Sequence, residues 1–325
     1  MIGARRALPW LALVLLLALP AIAGKFYLDL FAKIMIMAVF AMSLDLLVGV
    51  TGLVSLGHAA FFGLASYMVI FAAPDPYTAA NLWTSLPLAI GASALLALAI
   101  GALALRTRGV YFIMVTLAFS QLVYFVFHDT KLGGGSDGVY LYAKPEAKFA
   151  GWTLLDFADS SQFYYAMLAI LVLIFGFLRV LVASRFGHAL AGVRSNEQRM
   201  RALGYNTYAY KLAAFTLAGA LAALPGYFAA VQFGFVNPEM LSWHQSANVL
   251  LMVILGGSGT RFGPIVGAFA FILLEDAFSA ATKHWLLLMG GFVILAVMLL
   301  PRGLTGISER WRGIVADRAK VKSDG

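Results

Sequence analysis

Long apolar runs recur along almost the whole chain and constrain its fold more than any other feature. They lie at 8–23, 26–48, 53–73, 86–105, 109–128, 163–182, 212–233, 243–257, 264–281 and 285–300. A helix needs roughly 20 mostly apolar residues to cross a bilayer. Only 12% of the 325 residues are charged, whereas about a quarter are charged in a soluble domain. The sequence therefore predicts an all-α polytopic membrane protein with about ten transmembrane helices.

The two least regular runs are the first and the eighth. The first follows Arg5 and Arg6 and ends in Ala-Ile-Ala, so it also fits a signal peptide. Because another apolar run starts at Phe26, we interpret 8–23 as a retained first span. The eighth run, 243–257, is short and ends in glycines, which favours a discontinuous helix.

The distribution of Lys and Arg indicates the orientation, because short cytoplasmic loops are enriched in both. Basic residues are concentrated at the N-terminus, after the fourth run, in 183–211, at Arg261 and after residue 302. Loop 74–85 has none, and loop 129–162 has three Lys against five Asp or Glu. Ten spans with both termini cytoplasmic place every basic connection inside, apart from Lys25 and Lys283, which lie at helix ends and can extend to the interface.

The chain therefore divides into a transmembrane domain over 1–302 and a basic cytoplasmic tail over 303–325. We expect 129–162 to be an external loop and 183–211 to be a cytoplasmic loop. The net charge of +8 follows from this topology, so it does not indicate nucleic-acid binding.

The cytoplasmic loop contains a short predicted helix over 195–204, in "VRSNEQRMRALGYN". Ser195 is predicted as its N-cap, with Gln198 completing a capping box, and Gly204 as its C-terminal stop. Met200 and Leu203 are predicted to share one face. So short a helix needs a packing partner, which is either the membrane surface or a groove on a cytoplasmic protein.

Polar residues within apolar spans are candidates for the translocation pathway, since they are costly in lipid. These candidates are Ser55, His58, Thr116, Gln121 and Asn248. Glycines surround the first two in "TGLVSLGHAAFFG" (51–63), where a helix can break or pack closely. The alternative is hydrogen bonding between helices, which we favour over direct ligation by His58.

A second glycine-rich stretch, "LGGSGTRFGPIVG" (255–267), is interpreted as a cytoplasmic turn with Pro264 beginning the next helix. Asp45, near a cytoplasmic helix end, is expected to be paired or to cap a turn. The five histidines lie far apart, the chain has no cysteine, and no H-E-x-x-H motif occurs. The sequence therefore predicts neither a metal site nor catalytic residues.

Four segments, in order, resemble the membrane permease subunit of branched-chain amino acid ABC importers. They are "LLVGVTGLVSLGHAAFFGLASYM" (46–68), "TRGVYFIMVTLAFSQLVYFVF" (107–127), "SRFGHALAGVRSNEQRMRALGYNTYAYKLAAFTLAGALAALPGYFAA" (184–230) and "LLMVILGGSGTRFGPIVGA" (250–268). The resemblance implies that 1–302 is a permease domain and 183–211 an ATPase-coupling loop, in which Glu197 precedes Gly204 by seven residues. Small alanines usually follow that Glu, whereas Gln198 to Arg201 follow it here, which puts exchange with related ATPases in doubt.

The same resemblance implies the partners and the location. These are a second homologous permease, two cytoplasmic ATPase subunits that use ATP and Mg, a periplasmic substrate-binding protein, and the lipid of a bacterial inner membrane. No G-x-x-x-x-G-K-[ST] phosphate loop occurs in the chain, so no ATP or other cofactor is expected on it. The long loop 129–162, with its "GGGSDGVY" turn, is either a docking site for the binding protein or a simple surface excursion.

The substrate and transport class are predicted less directly. The resemblance implies branched-chain amino acids, while urea, short amides and small aromatic acids remain alternatives. An ion-coupled secondary transporter is the less favoured class, because spans four to seven have no Asp, Glu, Lys or Arg away from their edges.

Overall fold

The computed structural model describes residues 2–73, 77–149, 152–300 and 303–306, and these residues are mostly helical. The helices are α1 Ile2–Ile22, α2 Lys25–Asp45, α3 Ala59–Phe71, α4 Leu82–Ala104, α5 Val110–Asp129, α6 Ser160–Ala183, α7 Arg185–Ser195, α8 Glu197–Ala202, α9 Thr207–Phe233, α10 Trp243–Gly256, α11 Gly263–Ala281 and α12 Trp285–Leu299. The strands are β1 Val139–Tyr140, β2 Glu146–Phe149, β3 Trp152–Asp156 and β4 Phe235–Val236. Each predicted apolar run contains one helix, so the all-α polytopic fold is confirmed.

The helices differ in their capacity to span a bilayer. In the described part of the chain, seven helical segments are long and apolar enough to cross a membrane, judged by length and composition. They comprise α2 with its continuation to Thr51, then α4, α5, α6, α9 and α11, and the segment that begins at Trp285. Helices α3 and α10 are apolar but have only 13 and 14 residues. By itself, neither helix is long enough to cross the hydrocarbon layer.

Helix α2 lies at the centre of the molecule. It is apolar on every side between Ile34 and Met42, and most of its residues are buried. A helix without a polar face belongs in a core. Its neighbours are α6, α9, α10 and α11, so these four helices pack around α2.

Glycine permits the close contact between α3 and α9. A Cβ atom added to Gly226 would lie only 2.0 Å from the carbonyl oxygen of Phe62. The Ser66 hydroxyl donates to the Gly226 carbonyl at 2.7 Å. Small residues and side-chain hydrogen bonds of this kind replace the hydrophobic effect as the means of helix association in lipid.

The interruption of regular helix occurs in the third apolar run, not in the eighth. Helix α2 continues as a π-helical turn over Leu46–Thr51, and residues 52–58 are irregular before α3 begins. Helix α10 is continuous and ends at Gly257, whose φ is 109°. The prediction for 243–257 was wrong, because its glycines mark the end of α10 and a tight contact with Gly263 rather than a break within it.

The long loop contains local structure of its own. Residues 132–137 turn sharply, and Gly133, Gly134 and Gly135 have positive φ, consistent with the turn predicted from "GGGSDGVY". Strand β1 pairs antiparallel with β4, which follows α9, and β2 pairs antiparallel with β3. Asn81, before α4, bridges to Glu146. These contacts gather the connections before α4, after α5 and after α9 on one face, which we call the loop face.

A second set of connections meets at the other ends of the helices. The Arg194 guanidinium donates to the carbonyl of Gly49, and the amide of Gly259 donates to Asp45. Thr305 donates to the carbonyl of Gly256 at 2.8 Å. This group, the coupling face, comprises the end of α2, the α7–α8 segment, the α10–α11 turn and residues 303–306.

Candidate functional site

The helix predicted over 195–204 corresponds to α8, and a second short helix that was not predicted, α7, precedes it and meets it at Asn196. Asn196 has an extended backbone, and its side chain accepts from the amide of Arg199 at 2.9 Å, so Asn196 is the N-cap of α8. Ser195 instead ends α7, and its hydroxyl donates to the carbonyl of Gly192. The capping box predicted for Ser195 and Gln198 was therefore wrong. Ser and Asn are comparably good N-caps, and the turn between the two helices selects Asn.

Gly204 ends α8 as predicted. Its φ is 87°, a left-handed conformation, and its amide donates to the carbonyl of Arg201 at 2.9 Å. The next amide, of Tyr205, donates to the carbonyl of Met200 at 3.1 Å. These two bonds are a Schellman ending, for which glycine is the preferred residue.

Met200 and Leu203 do not form a common docking face. A Cβ atom on Gly192 of α7 would lie 2.8 Å from the Met200 sulfur, so Met200 packs between the two short helices. Leu203 is 67% exposed. The prediction of a shared face was wrong, because a helix as short as α8 is held by α7. Leu203 is therefore the apolar side chain of α8 that is presented to the surroundings.

Glu197 connects α8 to the start of α9. Its Oε1 accepts from Arg201 at 2.6 Å and from the Thr207 hydroxyl at 3.0 Å, and its Oε2 accepts from Lys211 at 2.7 Å. Partial burial acts to raise the pKa of Glu197, but the bonds and charge of Lys211, followed by the bonds of Thr207 and Arg201, lower it to about 2. The carboxylate is thus charged at neutral pH and joins three groups of the loop.

Arg194 and Asp45 connect this loop to the bundle. The Arg194 guanidinium donates to the carbonyl of Gly49, and its aliphatic carbons pack against Gly52. Asp45 accepts from the amide of Gly259 at 2.8 Å and so caps the α10–α11 turn, as predicted. Gly49 itself lies against Gly259. The sequence analysis did not identify Arg194, since its partner is a backbone carbonyl 145 residues away.

Three of the five pathway candidates lie around the irregular residues 52–58. His58 is fully buried, and its Nε2 lies 2.9 Å from the hydroxyl of Ser43. The Ser55 hydroxyl accepts from the amide of Gly57 at 3.2 Å. A Cβ atom on Gly57 would lie 2.4 Å from the carbonyl oxygen of Thr116. These contacts fit the interpretation as helix packing, because each polar group is turned towards protein.

Ser246 also belongs to this cluster, although the sequence analysis missed it. Its hydroxyl accepts from the amide of Ala59 at 2.8 Å and thereby caps the start of α3 from α10. The residue is fully buried. A serine in an apolar helix was the available signal, but the partner is 187 residues away in sequence.

Gln121 and Asn248 lie apart from that cluster. The Gln121 side chain is on α5, and its buried Nε2 has no hydrogen-bond partner among the described residues. Asn248 is exposed and lines a cleft of about 240 Å³ between α2, α9, α10 and α11. The five candidates therefore do not form a single site. Within the described ranges, no group of three His, Cys, Asp or Glu side chains could hold a metal ion.

Comparison with known proteins agrees with this architecture. The profile of the family described as "Branched-chain amino acid transport system / permease component" matches residues 26–300. The LivM permease of the high-affinity branched-chain amino acid transport system of Salmonella typhimurium is 29% identical over 95% of this chain and 76% of that protein. LivM of Escherichia coli K12 is 30% identical over 90% of this chain and 73% of that protein.

A second group of relatives matches less of the chain. The autoinducer 2 import system permease LsrC of Photorhabdus laumondii is 30% identical over 43% of this chain and 44% of that protein. No solved structure matches the chain. The family match covers both the interrupted third run and the loop with Glu197 and Gly204. This chain therefore belongs to the family of permease components of branched-chain amino acid transport systems.

Proposed function

We propose that this chain is the translocation-pathway subunit of an ATP-driven importer that moves branched-chain amino acids across a bacterial inner membrane. The observation that carries the proposal is the family match over 26–300 together with a well-capped polar segment between two long apolar helices. The extent of similarity to LivM, over nine-tenths of the chain, favours this substrate class over that of LsrC. Membership of this family also favours ATP coupling over ion coupling.

The α7–α8 segment is the proposed contact with the ATPase. Glu197 ties α8 to the long helix α9, and Arg194 ties α7 to the end of the central helix α2. Leu203 and Gly204 lie at the exposed end of α8. A force applied to α8 therefore acts on two helices of the bundle, as coupling requires. In this orientation the coupling face and both termini are cytoplasmic.

The remaining partners follow from this assignment. The complex contains a second homologous permease, two ATPase subunits that use ATP and Mg, and a periplasmic binding protein at the loop face. The 129–162 loop is the proposed docking site for the binding protein, because its β1 strand is fixed to the end of α9. The chain itself is non-catalytic and binds no cofactor.

Reconstitution tests this proposal directly. The complete complex in proteoliposomes should import leucine only with ATP and loaded binding protein present, and a complex with a catalytically inactive ATPase should not. The purified chain alone should show no thermal shift with ATP. Saturable ATP binding by the chain alone, or leucine import driven by an ion gradient without ATP, would contradict the proposal. Competition by urea, acetamide and benzoate distinguishes the alternative substrates.

A further inference from the structure

A cleft that contains Asn248 opens between four helices towards the loop face. Each helix contributes one face, with side chains three or four residues apart. Helix α2 contributes Lys33 and Met37, α10 contributes Gln245 and Asn248, and α11 contributes Glu275. The segment after β4, which contains Glu239, also lines it. Drug-sized ligands occupy pockets of about 300–1,000 Å³, so a volume of about 240 Å³ is suited to a smaller solute.

Opposite charges face each other in this cleft. The Lys33 ammonium lies 3.5 Å from a carboxylate oxygen of Glu275, and both side chains are about one-third exposed. The exposed Glu239 adds a second carboxylate to the lining of the cleft. Ionisable residues within membrane helices are functional candidates because their placement in lipid is unfavourable.

Amide side chains in the same cleft have spare hydrogen-bonding capacity. The Nε2 of Gln232 donates to the carbonyl of Asp29 at 2.6 Å, whereas its buried Oε1 has no donor among the described residues. Gln245 donates to the sulfur of Met37 at 3.8 Å, a weak acceptor. That oxygen has no surface open to the cleft, so the amide that a ligand can reach there is the exposed Asn248.

The other lining residues are apolar. They include Ile36, Phe62, Phe233, Met252, Phe271 and Ile272. Phe62 lines the cleft, and its ring centroid lies 4.6 Å from that of the buried Phe40, which in turn stacks on His58. The cleft thus combines both signs of charge with a wall that suits a branched aliphatic side chain.

We propose that this cleft binds the substrate as a zwitterion as it enters from the loop face. The ammonium group of the amino acid lies on Glu275, with Glu239 nearby, and its carboxylate lies on Lys33 and Asn248. The aliphatic side chain contacts the apolar wall. This inference rests on the proposed function, and it adds the site and the atoms that recognise the substrate.

Charge-removing variants in the complete importer test the site. For Lys33→Met and Glu275→Gln, the binding-protein-stimulated ATPase rate should persist, while leucine imported per ATP hydrolysed should fall about ten- to a hundredfold, since each loses one charged hydrogen bond to the substrate. The controls are Lys25→Met and Asp276→Asn, which are outside the cleft on the same two helices. Unchanged leucine import per ATP in both cleft variants would overturn the inference.

Exchange of the pair separates binding from a structural role. If the Lys33–Glu275 pair only joined α2 to α11, the double variant Lys33→Glu/Glu275→Lys would restore the ion pair and, with it, leucine import. A zwitterion site would not be restored, because Asn248 keeps its position and fixes the orientation of the ligand. Recovery of parental leucine import per ATP in the double variant would therefore refute the binding role.

Cysteine protection tests occupancy independently of transport rate. The chain has no cysteine, so Met240→Cys provides a single thiol in the lining of the cleft, and Lys25→Cys provides a control. Leucine at about 10 mM, enough to occupy a site of millimolar affinity, should slow thiol modification at 240 several-fold, whereas 4-methylpentanoate and isoamylamine, each lacking one charge, should not. If the complex imports leucine but the thiol reacts equally fast with and without leucine, the binding role of the cleft is refuted and the proposed function stands. If the parental complex imports no leucine, the proposed function is overturned as well.

Discussion

Replacement of Glu197 by Gln is expected to loosen the coupling loop without unfolding the bundle. The variant keeps the shape of the side chain but loses the charge that faces Lys211 and Arg201. Lowering the pKa from 4.5 to about 2 corresponds to at most roughly 3.5 kcal/mol, at about 1.4 kcal/mol per pKa unit. Because the side chain is partly exposed to solvent, screening reduces this, and we expect about 1–2 kcal/mol.

Hydrogen exchange of the amides in 196–206 is the appropriate assay, because the loss is local rather than global. A destabilisation of this size should accelerate their exchange about 5- to 30-fold. Gln198→Ala, an exposed neutral position on the same helix, is the matched control and should leave the exchange unchanged. Identical exchange in Glu197→Gln and the parental protein would refute the role assigned to this carboxylate.

The sign of the pH dependence follows from the lowered pKa. The folded-state pKa lies below the ordinary value of 4.5, so the contribution of Glu197 is complete above pH 4.5 and is lost as pH falls towards about 2. The difference between parental protein and Glu197→Gln should therefore be the same at pH 7 and pH 5, after correction for intrinsic exchange rates. A difference that disappeared between these two values would indicate that another group titrates.

Further predictions concern other parts of the chain. Gly204→Ala, at a left-handed and otherwise open position, should weaken α8 by about 1 kcal/mol through backbone strain. Gly204→Arg should impair association with the ATPase more than it lowers thermal stability. Association equal to that of the parental protein would contradict this. Met200→Asp should separate α7 from α8, seen as faster exchange in both helices. Gly226→Ala should lower thermal stability in detergent by about 1–3 kcal/mol through overpacking, whereas Gly91→Ala, with open space around it, should not. Ser136→Cys should react with an impermeant maleimide added outside intact cells, and labelling only after permeabilisation would reverse the topology.

The helices of the bundle were predictable because lipid imposes a simple requirement on sequence. A span must be apolar over a length that the bilayer fixes, and each of the ten runs contains a helix. Local chemistry was also readable where one residue type is strongly preferred. Gly204 adopts a left-handed conformation, and Pro264 lies in the first turn of α11.

The sequence predictions were wrong where contacts between residues far apart in the chain decide between two locally similar structures. Ser195 and Asn196 are both suitable N-caps, and the turn from α7 selects the second. Glycines occur at both 52–57 and 256–257, but the first stretch is irregular and the second ends a helix. The cleft was not predicted, because its charges come from Lys33 and Glu275, which only the packing of α2 against α11 brings together.

Helix α9 has a mechanical consequence, because it is one uninterrupted helix between the two faces. Its 27 residues span about 40 Å at 1.5 Å per residue. Its first residue bonds to Glu197 of the coupling loop, and its last is followed by the strand that pairs with β1 of the long loop. The hydrogen bonds along a helix fix its length, and Pro225 removes only one of those in α9, so a push on one end displaces the other by a similar distance. Helix α9 is buried along most of its middle. Its displacement therefore also requires it to slide past α2, α3 and α4.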